Sequence, residues 1–295
     1  MAARRSQLVL GLDPDPARLW PRSIELAGGS GAPAAERAAM AVAIHCTLAI
    51  EAAGEHCVAV KPQLACFERL GAPGWAALAE VVQRAHEQGL LVIADGKRGD
   101  IDLTAAAYAE AFFGGTRTPY GRVPGLGADG VTVNPLLGED SLVPFVSVAR
   151  DAGAGVFVLV RTSNPGARDV QELALAEGGT VTERLARMVD RLDGSGPAGS
   201  TGLAGVGAVV GSTAPAWLER LRELMPRAPF LLPGIGAQGG RVEDLAPAFA
   251  PGPAGGLVSA SRSIVGAHEA RGGRPEAAAA AEAERLRELA WSVAA

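Results

Sequence analysis

Two acids and a lysine occur within six residues of the chain, in the segment 95–100, Asp-Gly-Lys-Arg-Gly-Asp. Residues 90–94 before it are all apolar, which is the pattern of a strand buried on both faces. Side chains alternate along an extended chain, so Asp95 and Lys97 are predicted to point the same way. A lysine flanked by aspartates stays protonated, and in an α/β barrel catalytic residues collect where strands end. The segment is therefore the first candidate for an active site.

Seven further apolar segments have the length of strands, and helical patterns separate nearly all of them. This alternation favours one parallel α/β domain, and a count of eight strands favours a closed barrel. We predict a single (β/α)8 TIM barrel over residues 1–295, with strands at 8–12, 58–60, 90–95, 130–133, 155–160, 206–210, 230–232 and 256–259. Residues 117–126 and 167–179 are longer loops and candidate lids, and residues 194–205 are a Gly/Ser/Pro-rich connector.

The carboxyl ends of barrel strands share one face, so the polar residues that follow the strands are predicted to meet there. Two lysines and three aspartates of this set could form an alternating charge network, because a buried ammonium costs less when a carboxylate pairs with it. The set is Asp13, Lys61, Asp95, Lys97, Asp100, Ser163, Gln238 and Arg262.

The ends of the last two strands carry groups that suit an anion. Residues 233–240 read Pro-Gly-Ile-Gly-Ala-Gln-Gly-Gly, and glycines let backbone N–H groups approach a phosphate closely. Ser261 and Arg262 add a fork-shaped cation and a helix N-terminus after the eighth strand. Barrels commonly bind phosphate at these two loops, so we predict a phosphate-bearing substrate. The alternative is a glycine-rich turn beside a surface arginine.

The composition argues against several other classes of function. A net charge of -5 and an aromatic content of 4% disfavour a nucleic-acid-binding surface. Cys46, Cys57 and Cys66 have no C-x-x-C spacing and are expected to be reduced, and the histidines show no metal-ligand spacing. We find no signal peptide and no apolar run of the ~18 residues that a membrane span needs. A soluble, cytoplasmic protein is expected.

Together these segments resemble the orotidine 5'-monophosphate decarboxylase family, in particular its longer bacterial subgroup. The resemblance runs from the first strand to the eighth and so covers nearly the whole chain. Its motifs are Leu12-Asp13, Val60-Lys61-Pro62-Gln63, Asp95-Gly96-Lys97-Arg98-Gly99-Asp100-Ile101, Ser163-Asn164-Pro165-Gly166, Pro233-Gly234-Ile235-Gly236-Ala237-Gln238-Gly239-Gly240 and Ser261-Arg262-Ser263-Ile264. It implies conversion of orotidine 5'-monophosphate to uridine 5'-monophosphate and CO2 in de novo pyrimidine biosynthesis, with no metal and no organic cofactor.

The resemblance also implies a role for each matching residue. Lys61, Asp95, Lys97 and Asp100 would form the family's charged tetrad, with Lys97 protonating C6 of the pyrimidine as CO2 leaves. Asp100, Ile101 and Thr104 would cross a homodimer interface into the partner's site. The remaining contacts would be Asp13 and Lys61 to the ribose, Ser163 to the pyrimidine, and Gln238, Ser261 and Arg262 to the phosphate.

Two points leave alternatives open. The chain has Arg161-Thr162 where many family members carry a Glu-Met pair, so Thr162 could share the pyrimidine contact with Ser163. Asp100 or Asp102 could also serve only as the N-cap of the helix that follows.

Three other functions fit parts of the pattern. Sugar-phosphate barrels such as 3-keto-gulonate 6-phosphate decarboxylase or hexulose-phosphate synthase hold Mg²⁺ with acids, including a glutamate after the second strand, where Lys61 would compete with the metal. A Schiff-base aldolase needs a free amine, which a lysine flanked by aspartates does not supply. A nucleotide-binding barrel without activity predicts an eroded tetrad, and the tetrad is complete.

Overall fold

A computed structural model of the chain describes residues 1–29, 31–193 and 201–294, so most of the connector predicted at 194–205 lies outside the described residues. Eight parallel strands close into a barrel in the order β1-β10-β9-β8-β7-β6-β3-β2, which confirms the predicted TIM barrel. The barrel strands are β1 (Leu8–Leu12), β2 (Ala59–Pro62), β3 (Leu91–Arg98), β6 (Gly130–Val133), β7 (Gly155–Arg161), β8 (Val206–Val210), β9 (Phe230–Pro233) and β10 (Gly256–Ala260). A separate hairpin consists of β4 (Gly115–Thr118) and β5 (Gly121–Pro124).

Helices surround the barrel and connect its strands. The α-helices are α1 (Pro21–Ala27), α2 (Ala34–Ala53), α3 (Leu64–Glu68), α4 (Ala72–Glu87), α5 (Asp102–Phe113), α6 (Val143–Ala152), α7 (Val181–Asp193), α8 (Ala216–Leu224), α9 (Arg262–Val265), α10 (Ala267–Arg271) and α11 (Pro275–Ala294). Between β9 and β10 a 3-10 helix, Val242–Phe249, takes the place of an α-helix; it contains Pro247, which has no N–H to donate.

The strands bury apolar side chains on both faces, as expected for a parallel sheet that helices cover. One large cluster fills the space between the strands and the helices, and a smaller one holds inward-facing residues such as Ala59 and Ile93. Lys61 and Asp95 lie two positions further along the same strands, so they share this inward face. The smaller cluster is thus the apolar floor beneath the charged residues.

The third barrel strand departs from the prediction at its end. We predicted that it stops at Asp95, but β3 continues to Arg98, with a register shift against β6 between Ala94 and Arg98. Lys97 has φ of +48°, a left-handed conformation that is uncommon for a residue with a side chain. Asp95 and Lys97 do point to the same place, but through a bulged backbone rather than a simple extended one.

The prediction that residues 117–126 form a lid over the mouth is wrong. They form most of the β4–β5 hairpin, which joins the end of α5 to the start of β6. Connections from a helix to the next strand lie at the amino-terminal end of a barrel, opposite the strand ends that form the mouth. The other candidate lid, residues 167–179, follows β7 at the mouth, and its closure stays a prediction.

We expected no segment long and apolar enough to span a membrane, but one helix of the structure meets this criterion. The segment Ala34–His56 is long and apolar enough to cross a membrane by length and composition alone. In the structure 61% of its most apolar window is buried, and α2 packs against α1, α4 and α11. That is the burial of a core helix.

A buried histidine anchors the segment that follows β1, which carries Asp13. The backbone N–H of Trp20 donates to Nδ1 of His45 over 3.1 Å, and the indole N–H of Trp20 donates to the carbonyl of Val265 over 3.0 Å. Burial, aided by the charge of His268, lowers the pKa of His45 from 6.5 to about 4. His45 is therefore a neutral acceptor at neutral pH, and protonation would break its bond to Trp20.

We predict that this histidine makes the fold sensitive to mild acid. An unfolded His45 takes up a proton near pH 6.5 and the folded one only near pH 4, so stability present above pH 6.5 is lost as the pH falls between these values. The free energy of unfolding should drop by roughly 3 kcal/mol over that interval. In urea titrations at several pH values, His45→Gln should flatten the decline, because an amide oxygen can still accept from Trp20. The exposed His86 gives the control, since His86→Gln should leave the decline steep.

Candidate active site

A cavity of about 370 Å³ opens at the carboxyl ends of the barrel strands. It brings together eight of the predicted site residues: Asp13, Lys61, Asp95, Lys97, Ser163, Gln238, Ser261 and Arg262. Thr162, the alternative pyrimidine contact, also lines it. Asp100, Ile101 and Thr104 are the predicted residues that do not line it.

The centre of the site is one carboxylate between two ammonium groups. Lys61 Nζ lies 2.7 Å from Asp95 Oδ2, and Lys97 Nζ lies 2.6 Å from Asp95 Oδ1. The side chains of Lys61 and Asp95 are each 8% exposed, whereas that of Lys97 is 44% exposed. Lys97 is thus the member of the group that solvent or a ligand can reach.

Mutual attraction outweighs burial in setting the charges of this group. Burial by itself would raise the pKa of Asp95, but the charges of Lys61 and Lys97 and their hydrogen bonds hold that pKa well below its usual range. Burial would likewise lower the pKa of Lys61, yet the charges of Asp95 and Asp13 raise it above the ordinary value. Both groups are therefore charged at neutral pH.

Thr132 is a site residue that the sequence analysis missed. Its hydroxyl donates to Asp95 Oδ1 over 2.8 Å and accepts the backbone N–H of Lys97 over 2.9 Å. One side chain thereby holds both the carboxylate and the left-handed backbone of the lysine. The available signal was a hydroxyl in an otherwise apolar buried strand, Gly130–Val133. Gln63 Nε2 adds a weaker bond to Asp95 Oδ2 at 3.3 Å.

Asp100 lies outside the cavity, at the start of α5. Its Oδ1 accepts the backbone N–H of Ile101 over 2.8 Å. The N-cap position of α5 is Ile101, and no side chain makes a cap hydrogen bond there, so neither Asp100 nor Asp102 is the N-cap that we considered. Thr104 is exposed on the same turn.

The glycine loop after β9 differs from the prediction in its hydrogen bonds. The N–H groups of residues 236, 237, 239 and 240 donate to carbonyls of the loop itself, so they do not point at an anion in this conformation. Gly236 has φ of +70°, and a Cβ on Gly240 would lie 2.1 Å from Ser212 Oγ, which explains both glycines. Beside this loop the side chains of Gln238, Ser261 and Arg262 line the cavity and are available to an anion.

Arg262 is well placed for that role, with one correction. It is exposed beside the cavity and forms no ion pair with any residue that the structure describes. The helix that it begins, α9, has only four residues, so the predicted contribution of a helix N-terminus is small. The cation, rather than the helix, is the feature of this segment that suits an anion.

Metal ligation has little basis in this arrangement of side chains. Among residues 1–29, 31–193 and 201–294, no three His, Cys, Asp or Glu side chains come together as a possible metal site. Both oxygens of Asp95 already accept hydrogen bonds from ammonium groups.

Comparisons with known proteins identify relatives of the whole chain. A family model described as the orotidine 5'-phosphate decarboxylase / HUMPS family matches residues 6–279. An orotidine 5'-phosphate decarboxylase of Deinococcus radiodurans is 42% identical over 268 residues, covering 89% of this chain and 85% of the relative. Another, of Haloarcula marismortui, is 42% identical over 270 residues, covering 91% of this chain and 85% of that one. The solved structure of Leishmania donovani OMP decarboxylase superposes with a TM-score of 0.71 at 34% identity, covering 98% of this chain and 96% of that one.

The charged group yields a prediction about stability. Asp95→Asn would leave the buried ammonium of Lys61 without its main partner, and such a loss typically costs about 3–5 kcal/mol. Adding Lys61→Met should recover most of this, because it removes the uncompensated charge. Urea unfolding of both single variants and the double variant measures the coupling. Glu51→Gln, at the exposed pair with Arg84, is the control and should change stability by less than about 1 kcal/mol. Additive effects of the two substitutions would contradict the predicted coupling.

Proposed function

Because the chain belongs to the orotidine 5'-phosphate decarboxylase / HUMPS family, we infer that it is an orotidine 5'-phosphate decarboxylase, a carboxy-lyase of pyrimidine biosynthesis. The substrate is orotidine 5'-monophosphate, and the products are uridine 5'-monophosphate and CO2. The observation that carries this function is the carboxylate of Asp95 between Lys61 and Lys97, in a cavity that is also lined by Arg262, a cation with no ion-pair partner among the described residues.

The reaction needs a proton donor at the carbon that loses CO2. When the bond from C6 to the carboxylate breaks, its electron pair stays on C6 and takes a proton from Lys97 Nζ. The 44% exposure of the Lys97 side chain supports this role, since the resulting amine can recover a proton from water. The anionic Asp95 holds the ammonium in place and repels the substrate carboxylate, although the share of such ground-state effects in catalysis is contested.

The other cavity residues would bind the rest of the nucleotide. Arg262, Gln238 and Ser261 take the phosphate, and Asp13 and Lys61 take the ribose hydroxyls. Ser163 takes the pyrimidine edge. Binding energy from the phosphate, which does not react, can then be used to favour the transition state.

We assign the fourth member of the charged tetrad to a second subunit. Asp100 does not line its own cavity, and next to it Ile101 is 50% exposed and Leu103 86% exposed. Leu136 and Leu137, after the adjacent strand β6, are 78% and 51% exposed. Such a patch of large apolar side chains at the mouth suits a homodimer in which Asp100, Ile101 and Thr104 enter the partner's site. We also propose that the enzyme is cytoplasmic and has no nucleic-acid or membrane partner.

A magnesium-dependent sugar-phosphate reaction is the alternative within the same family. Lys61 Nζ occupies the place beside Asp95 that an added acidic ligand would need, and its charge would repel a divalent ion. A Schiff base on Lys61 is disfavoured too, because its raised pKa keeps the amine protonated.

Loss of the orotate absorbance, measured in excess chelator, tests the reaction and its proton donor. Wild type should turn over at an undiminished rate, and Lys97→Ala should lose at least ~10³-fold in kcat, about 4 kcal/mol of barrier. Arg98→Lys is the control, because Arg98 pairs with Glu68 away from the cavity and should keep nearly full activity. Dependence on Mg²⁺, or full activity of Lys97→Ala, would refute this mechanism.

Mixing two inactive variants tests the shared site. Lys97→Ala and Asp100→Ala homodimers should each be inactive, because every site lacks one member of the tetrad. Half of the randomly reassembled dimers are hybrids with one intact site, so about a quarter of the wild-type activity should return for an isologous dimer. Two samples of the same variant, mixed in the same way, give the control. No recovery despite verified subunit exchange would mean that Asp100 acts in its own subunit.

A further inference from the structure

Two consecutive residues of the loop after β7 hold the last residue of this strand and the residue that follows it. Arg161 is 5% exposed, and its Nε and Nη2 both donate to Oε1 of Glu172, over 3.1 and 2.7 Å. The guanidinium also donates to the carbonyl of Thr162. Arg161 does not line the ligand cavity but an adjoining opening, which it shares with Glu172 and Ser163.

Gln171 binds the next residue of the chain, Thr162, which follows the end of β7. Its Oε1 accepts the backbone N–H of Thr162 over 2.8 Å, and its Nε2 donates to the Thr162 hydroxyl over 2.9 Å. That hydroxyl in turn donates to Oδ1 of Asn164 over 2.6 Å. Both the proton and an acceptor site of the Thr162 hydroxyl are thus used within the protein.

The backbone of Gln171 is itself fixed from two sides. Its N–H donates to the carbonyl of Ala167 over 2.8 Å. Its carbonyl accepts both the N–H and the hydroxyl of Thr182, at 2.7 and 2.8 Å, and Thr182 lies fully buried in the first turn of α7. The side-chain amide therefore reaches Thr162 from a rigid base rather than from a loose loop.

Ser163 follows Thr162 and is confined on its other side by the end of β8. A Cβ on Gly211 would lie 2.7 Å from the Cα of Ser163, so the two backbones touch there. The hydroxyl of Thr213 donates to the carbonyl of Ser163 over 3.0 Å. The position of Ser163 is thus set by β8 on one side and, through Thr162, by Gln171 on the other.

We propose that Gln171 is a positioning residue for recognition of the pyrimidine ring. It fixes Thr162 so that Ser163 alone presents its hydroxyl to the ring, and among the described residues its hydrogen bonds go to Thr162, Ala167 and Thr182 rather than to the phosphate side of the cavity. This proposal rests on the proposed function, which assigns Ser163 to the pyrimidine. The Arg161-Thr162 pair has a role in this arrangement. Arg161 binds Glu172 of the loop, and Thr162 forms hydrogen bonds with the side-chain amide of Gln171.

Binding of two ligands that differ only in the base tests the proposal. Calorimetry would compare uridine 5'-monophosphate with ribose 5-phosphate on wild type, Gln171→Met and Glu177→Gln. Gln171→Met keeps the length of the side chain and removes both hydrogen bonds. It should weaken binding of the nucleotide about tenfold, as expected for two lost hydrogen bonds, and leave that of ribose 5-phosphate unchanged. Glu177→Gln is the matched control. Glu177 lies in the same loop and forms a surface ion pair with Arg184 of α7, so its substitution should alter neither affinity.

The outcomes separate this proposal from a structural role and from the proposed function. Equal weakening of both ligands, or no weakening of the nucleotide, would overturn the role of Gln171. Gln171→Glu is a second variant that keeps the result interpretable if Gln171→Met fails to fold. It retains an acceptor for the Thr162 N–H and should weaken binding of the nucleotide by only about threefold. If wild type binds the nucleotide but does not decarboxylate the substrate, the proposed function fails while the binding result still decides the role of Gln171.

Discussion

The site depends on the fact that neither Lys61 nor Asp95 could be buried alone. Each side chain is 8% exposed, and an isolated charge at that depth would cost several kcal/mol. The barrel meets this constraint through strand register, because β2 and β3 pair in parallel and a bridge joins Gln63 to Asp95. Closing the barrel therefore forms the ion pair. The ion pair in turn lowers the free-energy cost of burying two charged side chains above the apolar floor.

The same arrangement leaves the site with an excess of positive charge. The cations of Lys61, Lys97 and Arg262 outnumber the two carboxylates that line the cavity with them, those of Asp95 and Asp13. An excess of positive charge in a concave, partly dry site draws anions and raises their local concentration. A nucleotide that carries both a phosphate and a carboxylate matches this excess. An additional acid from a second subunit would limit the excess and tighten the hold on Lys97.

Much of the fold and part of the candidate site could be predicted from the sequence. The physical reasons for this also explain which features could not be predicted. Apolar runs locate buried strands, and barrel geometry brings their polar ends together, so Lys61, Asp95 and Arg262 were placed correctly. The left-handed backbone of Lys97 and its bond to Thr132 arise from a register shift between strands, which no local pattern encodes. The hairpin at residues 115–124 has the composition of a loop, so its pairing was not predicted, although its place between a predicted helix and the next predicted strand already implied the amino-terminal end of the barrel. Gln171 was missed because its partner Thr162 is recognisable only after the loop has folded.

The burial of Lys61 also bears on how such sites diverge. A change of Lys61 to an acid would place a second carboxylate beside Asp95, at a position where the present side chain is only 8% exposed, and both would share the ammonium of Lys97. A descendant with that change would have to neutralise the added carboxylate, either by protonation or by a cation that arrives together with it, such as a metal ion or a second basic substitution. A site with a lysine at this position and one with an acid there are thus separated by a change that is coupled to a second change in charge, rather than by a single neutral substitution.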